Sequence, residues 1–377
     1  MRIHAKKLYT PEEILHNQIV AIENGVISSI TPGSEAPLSC DILTPGLIDV
    51  HIHGGEGFNA RDFDVDAIAP FLDKLFACGV TDFLMTISTG RREVMRHGLE
   101  VTKAAMQMQQ EGKLSGARIL GAHLEGPFLS TQRAGAMQTE MIIPPSPETY
   151  DDFFNGYEGI IRLVTLAPEE EGANALIRHL LSKGVCVQSG HTYATYDQAQ
   201  AGFAAGSTSL CHTFNACRGI HHREPGVVLA ALTNPQVYTE AICDLEHLHP
   251  AVLEMIYTMK GPEKMILISD SVATHGMPDG EYFMEGYHIV VKDGVSRTID
   301  GALDGGGTYL DGAVRNMIKV GASSQDAVRM ATKTPAQRLG LKTLGAVAPG
   351  MRAHLSAWNS DFTPSFTVLE DGIHPTL

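Results

Sequence analysis

Short apolar runs alternate with helical stretches along most of this chain, and few folds are compatible with that alternation. Segments between the runs, such as IAPFLDKLFACG and GANALIRHLLSKG, have helical periodicity and end in glycine, as helix C-caps do. Eight alternations over roughly 250 residues predict an α/β fold with a closed (β/α)8 TIM barrel, and an open doubly wound sheet is the alternative. The runs are LIDVHIH, TDFLMTIS, ILGAHLE, IRLVTLA, VCVQSGH, TSLCHTF, VYTEAICD and MILISD.

Both ends of the chain carry short β-strand signals instead. QIVAIENGVISSI has two apolar runs around Asn24-Gly25, which predicts a hairpin, and the C-terminal tail returns to short strands and turns. Neither end is long enough to build a core alone. We therefore predict a small β-sandwich domain formed by residues 1–46 and 343–377, next to a barrel domain of residues 47–342.

Composition excludes several classes of protein. The formal net charge is −15, so we expect no binding to nucleic acid and no basic face for a membrane surface. An anionic substrate would need a local cationic pocket. The first residues lack the apolar run of a signal peptide, and the six cysteines show no paired short spacing. These features predict a cytoplasmic protein with reduced thiols.

Side chains that bind metals stand where several of the runs end. The active sites of barrels lie at the carboxyl ends of their strands, so side chains from separate runs are expected to meet there. Residues i and i+2 of a strand point to the same side, which lets the two histidines of the first run face the barrel axis together. The candidates are His51, His53, Glu125, His191, His212 and Asp270.

Imidazole and carboxylate groups are ligands of divalent metals, with Zn²⁺ the first choice and Fe²⁺, Mn²⁺ or Ni²⁺ as alternatives. A cation with open coordination lowers the pKa of a bound water from near 16 to about 7, and a nearby carboxylate can move the proton to a leaving group. Asp270 suits that catalytic role, although it could equally be one more ligand. The pattern predicts metal-assisted hydrolysis.

The motifs PGLIDVHIHGG, GAHLEGPFLS, SGHTYATYDQA, CHTFNA, HHREPG and LISDS resemble the N-acetylglucosamine-6-phosphate deacetylase family, a branch of the amidohydrolase superfamily. The resemblance runs from about residue 45 to the C-terminus. It implies that Glu125, His191 and His212 hold one metal, and that His51 and His53 allow a second with Glu125 bridging. It also implies that Asp270 is the acid/base aspartate.

The resemblance further implies contacts to an amino-sugar phosphate substrate. Arg223 and His247 match the groups that hold the phosphate, and the counterpart of Arg223 reaches across an interface, which implies a homodimer. From the sequence alone, a surface salt bridge with Glu224 is the alternative for Arg223. The implied substrate-binding residues are Ala136, Met137, Asn215, Ala216, His222, Arg223, His247, Leu303, Asp304 and Gly305.

Three positions depart from the family pattern. Met137 stands where a polar His or Gln is usual and cannot donate a hydrogen bond, Asp304 adds an acid, and Leu245 replaces a glycine.

The expected reaction is hydrolysis of N-acetylglucosamine 6-phosphate to glucosamine 6-phosphate and acetate. The same reaction on N-acetylgalactosamine 6-phosphate is the alternative. More distant alternatives are another amidohydrolase, such as a cyclic-amide or dipeptide hydrolase, and a non-catalytic binder of amino-sugar phosphates.

Overall fold

The computed structural model describes residues 1–284, 286–370 and 372–375. Three short 3-10 helices span Val65–Ala67, Thr131–Arg133 and Thr139–Met141. The strands are β1 Arg2–Tyr9, β2 Ile14–Glu23, β3 Val26–Pro32, β4 Leu38–Pro45, β5 Leu47–Ile52, β6 Gly54–Gly55, β7 Phe58–Asn59, β8 Val80–Ser88, β9 Arg118–Glu125, β10 Ile161–Leu166, β11 Cys186–Ser189, β12 Ser209–Leu210, β13 Tyr238–Ile242, β14 Met265–Ile268, β15 Gly280–Met284, β16 Tyr287–Lys292, β17 Val295–Thr298, β18 Leu355–Trp358, β19 Pro364–Leu369 and β20 Gly372–Pro375. The α-helices are α1 Ala69–Ala77, α2 Arg92–Gln110, α3 Pro147–Phe154, α4 Ala173–Ser182, α5 Tyr196–Ala205, α6 Val227–Thr233, α7 Pro250–Lys260, α8 Leu310–Val320, α9 Ser324–Met330 and α10 Lys333–Arg338.

Eight parallel strands form the central barrel, and each overlaps one of the eight predicted runs. Their order in the sheet is β5-β8-β9-β10-β11-β12-β13-β14. Main-chain hydrogen bonds just past the strand ends join the last strand to the first. The Asp270 N–H donates to the His51 carbonyl at 2.9 Å, and the His53 N–H donates to the Ser271 carbonyl at 2.8 Å. The predicted TIM barrel is confirmed, and this closure brings Asp270 beside His51.

Strands from both chain ends share one seven-stranded sheet, with the order β20-β19-β18-β4-β1-β2-β3. The predicted hairpin is confirmed, since β2 and β3 pair antiparallel around Asn24 and Gly25. Their φ angles of 52° and 73° are both positive, as a two-residue type I′ turn requires. The sheet has its own buried cluster, which includes Ile3 and Val368. The boundaries proposed for the two domains remain a prediction.

The helices that surround the barrel begin and end at recognisable signals. Helix α5 starts with a capping box, in which the Thr195 hydroxyl accepts from the Gln198 N–H and the Gln198 side chain accepts from the Thr195 N–H. It ends at Ala205 and is followed by the C-cap Gly206, whose φ of 119° favours glycine. Within the described parts of the chain, the helices are all too short or too polar to cross a lipid bilayer.

A small antiparallel sheet of β15, β16 and β17 follows the last barrel strand. Strands β16 and β17 are joined by a tight turn at Asp293-Gly294. Three side chains of this sheet, Met284, Tyr287 and Ile289, line the cavity at the mouth of the barrel. The sheet therefore forms one wall of the candidate site.

Candidate metal centre and active site

The six predicted metal-binding and catalytic side chains all lie at the carboxyl ends of barrel strands. His51 lies in β5, His53 follows that strand, and Glu125 is the last residue of β9. His191 and Asp270 each stand two residues beyond a strand end and have φ angles of 45° and 49°, in the left-handed region. Non-glycine residues occupy this region at a cost and cluster at functional sites.

The carboxyl group of Glu125 lies at the centre of the cluster and is buried. Its Oε1 atom is 3.0 Å from Nε2 of both His191 and His212 and 3.4 Å from Nε2 of His51. Its Oε2 atom is 3.3 Å from Nε2 of His53. One carboxyl group therefore faces two pairs of histidines, as a bridging ligand between two metal ions would.

Asp270 completes the second half of the cluster, because its Oδ1 atom is 3.2 Å from Nε2 of both His51 and His53. Nitrogen atoms also face each other, at 3.3 Å between His51 and His53 and at 3.1 Å between His191 and His212. Ligand atoms held about 2.0–2.1 Å from a tetrahedral ion lie roughly 3.3 Å apart. The spacing of the donor atoms therefore fits one or two divalent ions.

The Nδ1 atoms of two of these rings have main-chain partners that fix the ring orientation. If Nε2 faces a cation, Nδ1 carries the proton and donates it. Nδ1 of His191 then donates to the Arg133 carbonyl at 3.0 Å, and Nδ1 of His212 donates to the Asn215 carbonyl at 3.1 Å. The loop around Arg133 thus positions a candidate ligand as well as forming a wall of the pocket.

The charges of the cluster favour bound cations. Burial alone would raise the pKa of the Glu125 carboxyl, but the nearby rings of His51 and His191 hold that pKa well below its ordinary value. Burial would likewise raise the pKa of Asp270, and the histidines lower it instead. Burial would lower the pKa of His53, but hydrogen bonds with Asp270 and Glu125 raise it to about 9. Both carboxyl groups are therefore ionised at neutral pH.

A cavity of about 360 Å³ opens over the cluster. Most of the predicted substrate-binding residues line it, together with His53, Glu125, His191, His212 and Asp270. Two predicted residues do not: His222 and Arg223 are exposed, with Nη1 of Arg223 2.6 Å from Nε2 of His222. The predicted residues in the lining are Ala136, Met137, Asn215, Ala216, His247, Leu303, Asp304 and Gly305.

His247 is held in the cavity by Asp244. The Asp244 Oδ2 atom is 2.7 Å from Nδ1 of His247 and also accepts from the Gly307 N–H at 3.0 Å, while Oδ1 accepts from the His247 N–H. Between them, Leu245 has a φ of 70°. That angle favours glycine, the residue that the family resemblance implies at this position.

Sequence reasoning missed ten residues that line the cavity. Arg61 adds a guanidinium group, and its Nη1 atom donates to the Ser88 hydroxyl at 2.6 Å. Ser88 could have been predicted as a site residue, because it ends the second apolar run of the barrel. In the structure it pairs in register with Glu125. The missed residues are Arg61, Ser88, Gly135, Ile242, Val272, Ala273, Thr274, Met284, Tyr287 and Ile289.

A TIM barrel with histidine and carboxyl donors converging at its strand ends defines the class of metal-assisted hydrolases. The model of the amidohydrolase family matches residues 42–375. This chain therefore belongs to the amidohydrolase family and is a hydrolase of amide carbon–nitrogen bonds.

Named relatives resemble the chain over nearly its whole length. An N-acetylgalactosamine-6-phosphate deacetylase from Escherichia coli O157:H7 is 36% identical over 362 residues, which cover 95% of both chains. An N-acetylglucosamine-6-phosphate deacetylase from Vibrio furnissii is 34% identical over 370 residues, covering 94% of this chain and 92% of the relative. The predicted resemblance to the deacetylase family is confirmed.

Solved structures agree with this placement. N-acetyl-D-glucosamine-6-phosphate deacetylase from Mycobacterium smegmatis, solved as a variant in complex with N-acetyl-D-glucosamine 6-phosphate, superposes with a TM-score of 0.92 at 32% identity. That match covers 99% of this chain and 98% of the other. The Thermotoga maritima deacetylase superposes with a TM-score of 0.88 at 29% identity, covering 99% of each chain.

Proposed function

We propose that this chain is a metal-dependent deacetylase that hydrolyses N-acetylglucosamine 6-phosphate to glucosamine 6-phosphate and acetate. The observation that carries the proposal is the cluster of four histidines with the carboxyl groups of Glu125 and Asp270, at the floor of a cavity of about 360 Å³. A sugar phosphate fits a cavity of this size. Relatives at 34–36% identity that are named for this chemistry support the same conclusion.

The donor set divides into two groups that share Glu125. We assign His191, His212 and Glu125 to one ion, and His51, His53, Asp270 and Glu125 to the other. Zn²⁺ suits imidazole and carboxylate donors best, with Fe²⁺, Mn²⁺ and Ni²⁺ as alternatives. When bound, such an ion supplies a nucleophilic water at neutral pH and polarises the amide carbonyl.

Asp270 is the proposed proton shuttle. Its Oδ1 atom lies 3.2 Å from Nε2 of His51 and of His53, so its carboxylate borders the position where a nucleophilic water would lie. The carboxylate takes a proton from the water as the new carbon–oxygen bond forms. It then gives that proton to the amine nitrogen as the carbon–nitrogen bond breaks. Water and amide are thereby converted into acetate and free amino sugar.

The phosphate is assigned to His247 and Arg223. His247 lines the cavity of its own chain, whereas Arg223 is exposed and outside that lining. An exposed arginine beyond its own pocket supports the proposal that it enters the pocket of a second copy in a homodimer. A guanidinium group suits phosphate because it donates two parallel hydrogen bonds.

Cytoplasmic localisation is also proposed, and the six unpaired cysteines support it.

A second candidate is the same reaction on N-acetylgalactosamine 6-phosphate. It is favoured by the E. coli O157:H7 relative, which is named for that substrate and is 36% identical. The two sugars differ in the configuration of one hydroxyl, so one polar group in the pocket is enough to separate them. Asp304 and Met137, which both line the cavity, are the residues expected to decide.

Acetate release from purified protein tests the proposal. Both N-acetylhexosamine 6-phosphates and their unphosphorylated forms are supplied in parallel, and the metal content of the same sample is measured. We expect acetate from one or both phosphorylated sugars, with a kcat/KM at least tenfold higher than for the unphosphorylated forms. Tightly bound metal without acetate release would indicate another amidohydrolase activity, and binding of the sugar phosphates without metal or hydrolysis would indicate a non-catalytic binder.

A further inference from the structure

A buried acid below the metal centre, Glu240, plays no part in the chemistry proposed above. It lies on β13, and its side chain is fully buried inside the barrel. Its Oε2 atom is 3.5 Å from Nδ1 of His51 and accepts from the Gln188 side chain at 3.2 Å. A buried acidic group without a strong partner is costly, so the contact with His51 calls for a physical reason.

The protonation of His51 supplies that reason. Its Nε2 atom faces the Oδ1 atom of Asp270 at 3.2 Å and the Oε1 atom of Glu125 at 3.4 Å. A nitrogen that binds a metal there needs a free lone pair, so the proton of the neutral ring must lie on Nδ1. Two groups approach Nδ1: the Glu240 carboxyl, and the Cys211 sulfur at 3.4 Å. Of these, the carboxyl oxygen is the stronger acceptor.

His51 differs in this respect from two other rings of the centre. His191 and His212 both direct Nδ1 at neutral main-chain carbonyl groups, those of Arg133 and Asn215. His51 instead has an acidic side chain behind it. A carboxylate acceptor raises the basicity of a ligating imidazole and holds its tautomer, and loss of such a partner weakens metal binding 10- to 100-fold.

The guanidinium group of Arg338 is linked to Glu240 through one intermediate residue, Gln188. Arg338, the last residue of α10, donates through Nη2 to the Gln188 Oε1 atom at 3.0 Å and through Nε to the Ser209 hydroxyl at 2.8 Å. Gln188 in turn donates to Glu240. The guanidinium charge therefore compensates the acid without pairing with it directly, which leaves Glu240 able to serve His51.

We propose that Glu240 is a positioning residue that sets the metal affinity of the group containing His51, His53 and Asp270. It acts by holding the proton of His51 on Nδ1, and it leaves the group of Glu125, His191 and His212 largely unaffected. The inference rests on the proposed function only in assuming that metal binds at both groups.

The test measures the dissociation constant of each ion by titrating metal-stripped protein with Zn²⁺ against a competing chelator. The variants are Glu240→Ala, which removes the acceptor, and Glu240→Gln, which keeps its shape and one acceptor oxygen but removes the charge. His51→Asn identifies the ion that belongs to the His51 group. Asp82→Asn is the matched control, because Asp82 is also a buried acid on a barrel strand and is bound to a histidine, His354 at 2.8 Å, near the opposite end of the strands.

We expect Glu240→Ala to weaken the ion that His51→Asn removes by 10- to 100-fold, with Glu240→Gln between it and the unmodified protein. The other ion changes less than threefold, and Asp82→Asn changes neither constant. Equal affinities in Glu240→Ala and the unmodified protein would overturn the inference while leaving the deacetylase proposal intact. Weakening of the other ion, or a single ion that His51→Asn does not affect, would also overturn it. An unmodified protein that binds no metal would refute the proposed function as well.

Discussion

Replacing Asp270 by asparagine removes the proposed proton shuttle with little change in shape. The Oδ1 atom is 3.2 Å from the Nε2 atoms of His51 and His53, and an amide oxygen can occupy the same place. The amide cannot accept and return a proton at neutral pH. General acid–base catalysis contributes about 10²–10⁴-fold, so at about 1.36 kcal/mol per factor of ten the activation barrier should rise by roughly 2.7–5.4 kcal/mol.

The assay is steady-state acetate release from the phosphorylated substrate, with metal content measured on the same sample. We expect kcat to fall at least 100-fold, while KM changes less than threefold because binding does not depend on the proton transfer. Asp82→Asn serves as the control, since it removes a buried carboxyl group from the same barrel near the other end of the strands. Turnover above one tenth of the unmodified value, with full metal content, would refute the role of Asp270.

Three further predictions test other parts of the site. His191→Asn removes a donor 3.0 Å from Glu125 and should abolish tight metal binding and acetate release together, as measured by elemental analysis and activity. Arg223→Met should raise the KM of the 6-phosphate about 10- to 100-fold, because a charged hydrogen bond to the phosphate is lost. The KM of the unphosphorylated sugar should not change. Mixing the Arg223→Met protein with the Asp270→Asn protein should restore activity if each active site takes these two residues from different subunits. No recovery of activity would contradict an active site shared between subunits. Burial would lower the pKa of His247, but the contact with Asp244 raises it. That stabilisation is complete below the ordinary histidine pKa of about 6.5 and is lost as pH rises through the raised value. In the Asp244→Asn variant, the free energy of unfolding should therefore fall less steeply as the pH rises above about 6.5, as measured by urea titration.

The barrel and its cluster could be predicted because both depend on local patterns along the chain. Each barrel strand is a short apolar run, and a parallel barrel gathers the carboxyl ends of its strands at one face. His51 and Asp270 lie 219 positions apart in the sequence, yet each marks the end of such a run, and ring closure brings them to 3.2 Å. The topology of the barrel alone therefore explains why His51 and Asp270 lie close together.

Other parts of the site depend on tertiary placement that no local pattern records. Met284, Tyr287 and Ile289 reach the cavity because a hairpin folds over the barrel mouth, and Arg61 reaches it from a loop after β7. Glu240 is different, because it interrupts the apolar run VYTEAICD and an acid inside a buried strand is unusual. That signal was present, but its partner His51 could only be found from the folded chain.

Anomalous diffraction at the zinc edge, from crystals of protein loaded with Zn²⁺, locates the metal ions directly. We expect a strong peak about 2.0–2.2 Å from Nε2 of His191, Nε2 of His212 and one oxygen of Glu125, the bond lengths typical of Zn²⁺. A second peak is predicted between His51, His53 and Asp270. Metal bound only elsewhere in the protein, with no peak near Glu125, would contradict the assignment of the catalytic centre.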